Sequence, residues 1–317
     1  MPLNPHAKRF LDRLNAMSPV APAAQTIGER RSSVQQLLGL ALAPCDATAV
    51  LDSTLPGPAG TLRLRLYAPA ANGNQLLPGI VYFHGGGLVA GSLDTHDPIC
   101  RALSGASGCR LVSVDYRLAP EHPFPAAVAD GHAAAEWILG HAAQLGIDSE
   151  RLAIGGDSAG ATLAAVVCQG RRGPGGTGFA LQFLLCPIMD FLATTPSRRT
   201  LAQGYFLEEG TLQHDLQHYL TPEVDAANPQ VSPLRAADLT GVPPTCIHTA
   251  EFDPLRDEGA AYAQRLNEVG VPTLYRCHPG MIHLFYGMGA VIPYAAIAFE
   301  LMGSDIRSLL CPTREAA

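Results

Sequence analysis

Ser158 lies in RLAIGGDSAGATLAA, residues 151 to 165, where an apolar run gives way to small residues. A hydroxyl with so little bulk around it can be explained in several ways. A phosphate-cradling loop needs a lysine after its second glycine; Gly155 and Gly160 have the spacing, but Ala161 and Thr162 follow. A dinucleotide fingerprint needs glycines at offsets that this stretch lacks. A helix N-cap explains the hydroxyl but not Gly156 and Gly160 on either side of it. The pattern Gly-x-Ser-x-Gly explains all three residues. It forces the serine onto a sharp strand-to-helix turn, where small neighbours let the helix pass close to the strand. The hydroxyl then projects free as a nucleophile, and the amide of Ala159 points to where an oxyanion would form.

A second glycine-rich stretch, VYFHGGGLVAGS, precedes it. Gly85, Gly86 and Gly87 follow a strand-like run, and consecutive glycines expose consecutive N–H groups, as the oxygen of a tetrahedral intermediate requires. Three glycines make any turn easy, so the stretch gains its meaning from occurring in order with the serine motif. His84 is not read as the base. It is tied to the first position of the loop, where a local hydrogen bond would hold the glycines.

A serine nucleophile needs a base oriented by an acid, downstream in the order serine, acid, histidine. His248 lies inside the apolar run TCIHTA and reads as a packed core residue. His214 and His218 are spaced i, i+4 and could pair on a metal, but no third ligand is evident, and solvated surface positions are the expectation. His278 abuts a strand and Pro279. His283, in PGMIHLFYG, has the freer loop and is favoured. For the acid, TCIHTA runs into EFDPLRDEG: Glu251 is still on the strand and Asp257 is a turn into the helix, where a carboxylate serves the dipole. Asp253 emerges just past the strand and is preferred.

These side chains need a scaffold. TLRLRLYAP alternates as an antiparallel or edge strand, and GIVYF, RLVSVDY, RLAIGG, ALQFLLCP, TCIHTA and TLYRC are short continuous apolar runs separated by helical stretches such as 126–145 and 255–269. That order predicts an α/β fold with a mostly parallel sheet covered on both faces. Two amphipathic segments precede it, marked by Phe10, Leu11, Leu14 and Met17 and then by Val34, Leu37, Leu38 and Ala41. Residues 190 to 235 are polar, proline-punctuated and too long for a plain connection, so they read as an insertion. The 317 residues are 47% hydrophobic, enough for one large core. A net charge of −7 argues against nucleic-acid or anionic-membrane partners. No apolar stretch is long enough to span a bilayer, and the charged N-terminus lacks a signal-peptide core, so a cytoplasmic protein is expected. The eight cysteines form no CxxC pair and read as small buried hydrophobes, neither staples nor metal ligands. The chemistry requires no metal or organic cofactor.

With YFHGGGLVAGSLDTHDPICRALS, VDYRLAPEHPFPAA, IGGDSAG, AEFDPLRDEG and GMIHLF in order, residues 60 to 300 resemble the bacterial hormone-sensitive-lipase-like (family IV) esterases of the α/β-hydrolase fold. The resemblance implies an eight-stranded, mostly parallel sheet with helices on both faces. It implies a triad of Ser158, Asp253 and His283 and an oxyanion hole from Gly85, Gly86, Gly87 and the Ala159 amide. It implies a catalytic core over residues 46–317 and a helical cap built from residues 1–45 and the insertion at 190–235. A serine carboxylesterase acting on small-molecule esters of short to medium chain is expected, and a homodimer is implied more weakly. Leu88 stands where the family has an aromatic residue, and Ala161 and Thr162 where it often has Gly-Asn, so these positions bear on specificity; Leu88 is a candidate substrate-binding residue. A deacetylase, lactonase or amidase would use the same triad. The resembling plant gibberellin receptors lack the catalytic histidine, whereas His283 is present here. The cap is too small and polar for a lipid-docking lid. DYRLAPEHPFP is assigned no chemistry; Asp115, Arg117 and Glu121 read as a structural polar network.

Overall fold

A computed structural model describes residues 2–17, 24–41, 48–69, 75–171 and 176–311. At its centre lie β1 (Thr48–Gly57), β2 (Gly60–Pro69), β3 (Leu77–Phe83), β4 (Arg110–Asp115), β5 (Ile147–Asp157), β6 (Leu181–Leu185), β7 (Thr245–Phe252) and β8 (Thr273–Ile282). They form one eight-stranded sheet in the order 1-2-4-3-5-6-7-8. β2 runs antiparallel to β1 and β4, and every pairing from β4 to β8 is parallel.

Burial follows the hydrophobic patterns. In β2 Leu62 and Leu64 are buried on one face while Arg63 on the other is exposed; Tyr67, on the Arg63 face, is buried in the other core cluster with Ile99 and Leu103. All of β6 is buried, as expected of a central parallel strand covered on both faces. β1 carries no such signature: Leu51 is 64% exposed, and among its described residues only Leu55 is buried. It is held by its long antiparallel ladder to β2.

The helices are α1 (Pro5–Ala16), α2 (Ile27–Leu38), α3 (Asp97–Ser107), α4 (Ala126–His141), α5 (Ala159–Gly170), α6 (Pro196–Thr200), α7 (Glu209–Tyr219), α8 (Arg256–Glu268) and α9 (Tyr294–Leu310). Two apolar clusters form the core. One joins β-sheet residues such as Val81, Val112 and Ile154 to α4 and α5; the other joins Ile80, Leu111 and Phe183 to α3 and α9. Successive strand residues point to opposite faces, so Ile80 and Val81 enter different clusters. α6, α7 and a 3-10 turn at Pro233–Arg235 lie between β6 and β7, where the insertion was expected. The expected boundary near residue 45 lies outside the described residues. No helix among those described is long and apolar enough to cross a membrane.

Two expectations need correction. Asp115, Arg117 and Glu121 do not form one network. Arg117 pairs with Asp130 of α4 at 2.7 Å, Glu121 with Arg31 of α2 at 2.6 Å and Asp115 with Arg63 of β2 at 3.6 Å, so the bend is tied to three separate elements. Nor are all the cysteines buried. Of the seven described, all free, five are buried, Cys277 is half-buried and Cys311 is exposed, while Cys45 lies outside the described residues.

Candidate active site

Ser158 sits between the end of β5 and the start of α5 with φ 53° and ψ −122°. A positive φ at a non-glycine residue is a costly conformation, kept where surrounding structure imposes it. The imposing contacts can be identified. A Cβ on Gly156 would meet the carbonyl of Phe83 and the backbone of Gly160, and a Cβ on Gly160 would meet the carbonyls of Phe83 and His84. Both glycines therefore let the first turn of α5 lie against the end of β3. Gly160→Ala is expected to destabilise the fold by about 3 kcal/mol, because the clashes are with backbone that cannot swing aside. Thermal unfolding would register this as a midpoint lowered by roughly 4–5 °C. An unchanged midpoint would show the packing to be looser than described.

Two further side chains reach the serine from the ends of neighbouring strands. Asp253 follows β7 and is fully buried; its Oδ1 accepts the amide of Leu255 at 2.9 Å. His283 follows β8 and is 5% exposed. Its Nδ1 lies 2.7 Å from Asp253 Oδ2, and its Nε2 lies 3.2 Å from Ser158 Oγ. With the carboxylate as acceptor, the proton resides on Nδ1 and Nε2 is left to accept from the hydroxyl. The loop that carries Asp253 is braced by α6. Ser197 Oγ donates to the carbonyl of Pro254, and the Ser197 amide donates to Asp257. The buried Arg198 of α6 pairs with the buried Glu258 of α8 at 2.6 Å.

Gly85, Gly86 and Gly87 bend away from the end of β3 beside the serine. The amide of Gly85 donates to Asp157 Oδ1 at 2.9 Å. Among the described residues, no partner is found for the amides of Gly86, Gly87 and Ala159. Gly86 and Gly87 have φ of 121° and 68°, conformations that glycine adopts without penalty. Leu88 has φ 64° and is 2% exposed, with its side chain in the core cluster behind the loop and its carbonyl accepting the amide of Ala119. A nucleophile, a base and a row of unpaired amides at one edge of a sheet form a constellation for acyl transfer.

The comparisons with known proteins agree. A family model described as alpha/beta hydrolase fold matches residues 80–287. The chain belongs to this α/β-hydrolase family. Within it the chain falls among the hormone-sensitive-lipase-like carboxylic ester hydrolases. It is 43% identical to the carboxylic ester hydrolase LipN of Mycobacterium tuberculosis over 75% of this chain and 65% of that one. It is 36% identical to an arylesterase of Saccharolobus solfataricus over 90% and 93% of the two chains. An ester-hydrolase from the metagenome of Lake Arreo, solved with a bipyridine phosphonate derivative, superposes with a TM-score of 0.92. That structure is 39% identical and covers 96% of this chain and 98% of its own.

The hydrolase also carries, beside the serine, a buried acid that the motif reading left unassigned. Asp157, directly before the serine, is fully buried and anchors the glycine loop. Besides Gly85, its carboxylate accepts from Tyr82 at 2.7 Å and Tyr286 at 3.2 Å, and His96 Nε2 lies 3.4 Å away. Burial pushes this carboxyl up, but the charge and hydrogen bond of His96, with the Tyr82 hydroxyl, outweigh it and hold Asp157 below the usual carboxylate range. A buried acid next to a motif serine, with aromatic hydroxyls elsewhere in the chain, is a weak signal before the fold is known. His84, by contrast, stands as read. Its Nδ1 lies 2.9 Å from the carbonyl of Gly85, its ring stacks on Tyr116, and burial with the neighbouring His96 pushes its pKa down to about 3. It is neutral near pH 7.

His214 does not fit the expectation of a solvated surface position. It is 5% exposed, and its Nε2 lies 3.0 Å from the carbonyl of Gln25, which ties α7 to the N-terminal segment. His218 Nδ1 lies 2.9 Å from the carbonyl of His214. Among the described residues, two groupings place potential metal ligands within 4.8 Å of one another: Cys186, Asp253 and His283, and Cys246, His248 and Asp305. In the first, Asp253 and His283 are already bonded to one another, and His283 to Ser158. In the second, Asp305 already accepts two hydrogen bonds from Arg276.

Proposed function

We propose that this hydrolase is a serine carboxylesterase that cleaves short- to medium-chain esters of small molecules through an acyl-enzyme. The arrangement that carries the reading is the line from Ser158 Oγ through His283 to Asp253, set beside the open amides of Gly86, Gly87 and Ala159. His283 Nε2 takes the proton from Ser158 as the oxygen attacks the ester carbonyl. The carbonyl oxygen, now negative, is held by the three amides, each worth about 10²–10³ in rate at comparable sites. Gly85, whose amide is engaged by Asp157, shapes the hole rather than donating to it. Asp253 keeps the imidazole oriented and stabilises it once charged. His283 then protonates the leaving alkoxide, and a water attacks the acyl-enzyme with the same base assisting.

The described helices of residues 1–45 and 190–235 are assigned to a cap over this site, with the catalytic core in 46–317. Leu88 is assigned to an apolar wall behind the oxyanion loop, where its size affects acyl fit. The enzyme is placed in the cytoplasm. The implied homodimer is assigned to the outer edge of β8 around the exposed Tyr275, away from Gly280, whose carbonyl accepts the amide of Asn4.

The test is a series of p-nitrophenyl esters from acetate to palmitate, run beside an amide analogue. The highest kcat/KM is expected among the short and medium acyl chains, with palmitate and the amide far below. A maximum at palmitate, or faster turnover of the amide, would replace this reading with a lipase or an amidase.

A further inference from the structure

The charged face of α2 reaches the oxyanion loop. Arg30 forms a bidentate pair with Asp215 of α7, Nε to Oδ1 at 3.0 Å and Nη2 to Oδ2 at 2.7 Å. The pair is largely buried, with side chains 14% and 3% exposed. The Asp215 carboxylate rests on Gly87: a Cβ there would land on its Cγ and Oδ2. His214, the preceding residue of α7, has its Nδ1 3.3 Å from Asp215 Oδ1. The next residue of α2 holds the same loop from its far end, since Arg31 Nε donates to the carbonyl of Val89 at 2.8 Å and Nη2 to that of Ala119 at 3.1 Å.

A carboxylate packed on Gly87 lies a few ångströms from the place where the reaction builds negative charge. At an effective dielectric of about 20 and a separation of about 6 Å, an uncompensated charge there would slow the step by about 10²-fold. Arg30 bonds both oxygens of that carboxylate and cancels its charge, while its fork fixes where the carboxylate rests. We propose that Arg30 is a positioning residue for the oxyanion hole: through Asp215 it seats Gly87 and removes the charge that would oppose the tetrahedral intermediate. The N-terminal segment thereby becomes part of the catalytic apparatus. This inference rests on the serine-esterase reading above.

The test is kinetic, on the full chain with p-nitrophenyl butyrate. In Arg30→Met, kcat is expected to fall about 30–100-fold with KM within about threefold of wild type. The Ki of phenylboronic acid, which binds as a negatively charged tetrahedral adduct of the serine, should rise by a similar factor. Arg30→Met combined with Asp215→Asn removes both charges and should recover most of the lost kcat; Arg30→Lys should retain most of it. If Arg30→Met does not fold, Arg30→Gln, which keeps one hydrogen bond to Asp215 without the charge, is read in its place. A neutral Arg30 variant with wild-type kcat overturns the inference. So does a loss carried by KM, or one that the double variant fails to recover, since either would mark a purely structural contact. Wild-type protein without ester turnover would sink the esterase reading and this inference with it. Active wild type with an equally active Arg30 variant would sink this inference alone.

Discussion

Ser158→Ala is expected to lower kcat for p-nitrophenyl butyrate by about 10⁶-fold, as removal of a nucleophile does in a serine hydrolase of comparable design. The side chain loses one oxygen, whose described partner is His283 Nε2, so no other bond of the fold is broken. The strained φ of 53° is equally strained for alanine, and the glycines that impose it are untouched. The thermal midpoint should therefore stay within a few degrees of wild type. Substrate binding and the open amides remain, so a small acceleration over the uncatalysed reaction should persist. Turnover within tenfold of wild type in a folded Ser158→Ala variant would remove the serine from the mechanism.

Asp253→Asn should cost about 10⁴-fold in kcat while leaving the structure intact. Asparagine has the same shape, and its carbonyl oxygen can still accept the amide of Leu255. The difference lies at the other atom. The carboxylate now accepts from His283 Nδ1 at 2.7 Å, whereas an amide NH₂ placed there would donate to it. The imidazole would then carry its proton on Nε2, facing Ser158, and could not accept the proton of the hydroxyl. KM should change little, because Asp253 is fully buried behind the histidine. Steady-state kinetics with matched thermal unfolding would check this. A folded Asp253→Asn variant losing less than tenfold would mean that another group orients His283.

Much of this arrangement could be read from the chain because its parts have local causes. Small residues on both sides of Ser158 signal a tight turn, and the structure places that turn between β5 and α5 with Gly156 and Gly160 at backbone contact. Asp253 and His283 were chosen for following the apolar runs that become β7 and β8. Parallel strands bring such positions to one edge of a sheet whatever their separation along the chain. What could not be read depends on pairings with no local mark. β1 is an edge strand whose Leu51 points to solvent, and its sequence lacks the alternation that identifies β2. Arg30 belongs to a charged helical stretch that looks like a solvated face, and its partner Asp215 is 185 residues away. His214 has the same history: a polar residue in a polar insertion, buried once α7 packs against the N-terminal segment. Asp157 was in view from the start, but its role required knowing that Tyr82, Tyr286 and Gly85 converge on it.

The most direct test of the central claim is covalent. A fluorophosphonate reacts with a serine only where a base activates it and amides stabilise the product oxyanion, the combination assigned here to Ser158. Intact-mass measurement followed by peptide mapping should find one adduct per chain, located on Ser158, forming as ester turnover is lost and absent from His283→Ala. An adduct on a different residue, or full turnover by protein that never takes up the label, would contradict the account.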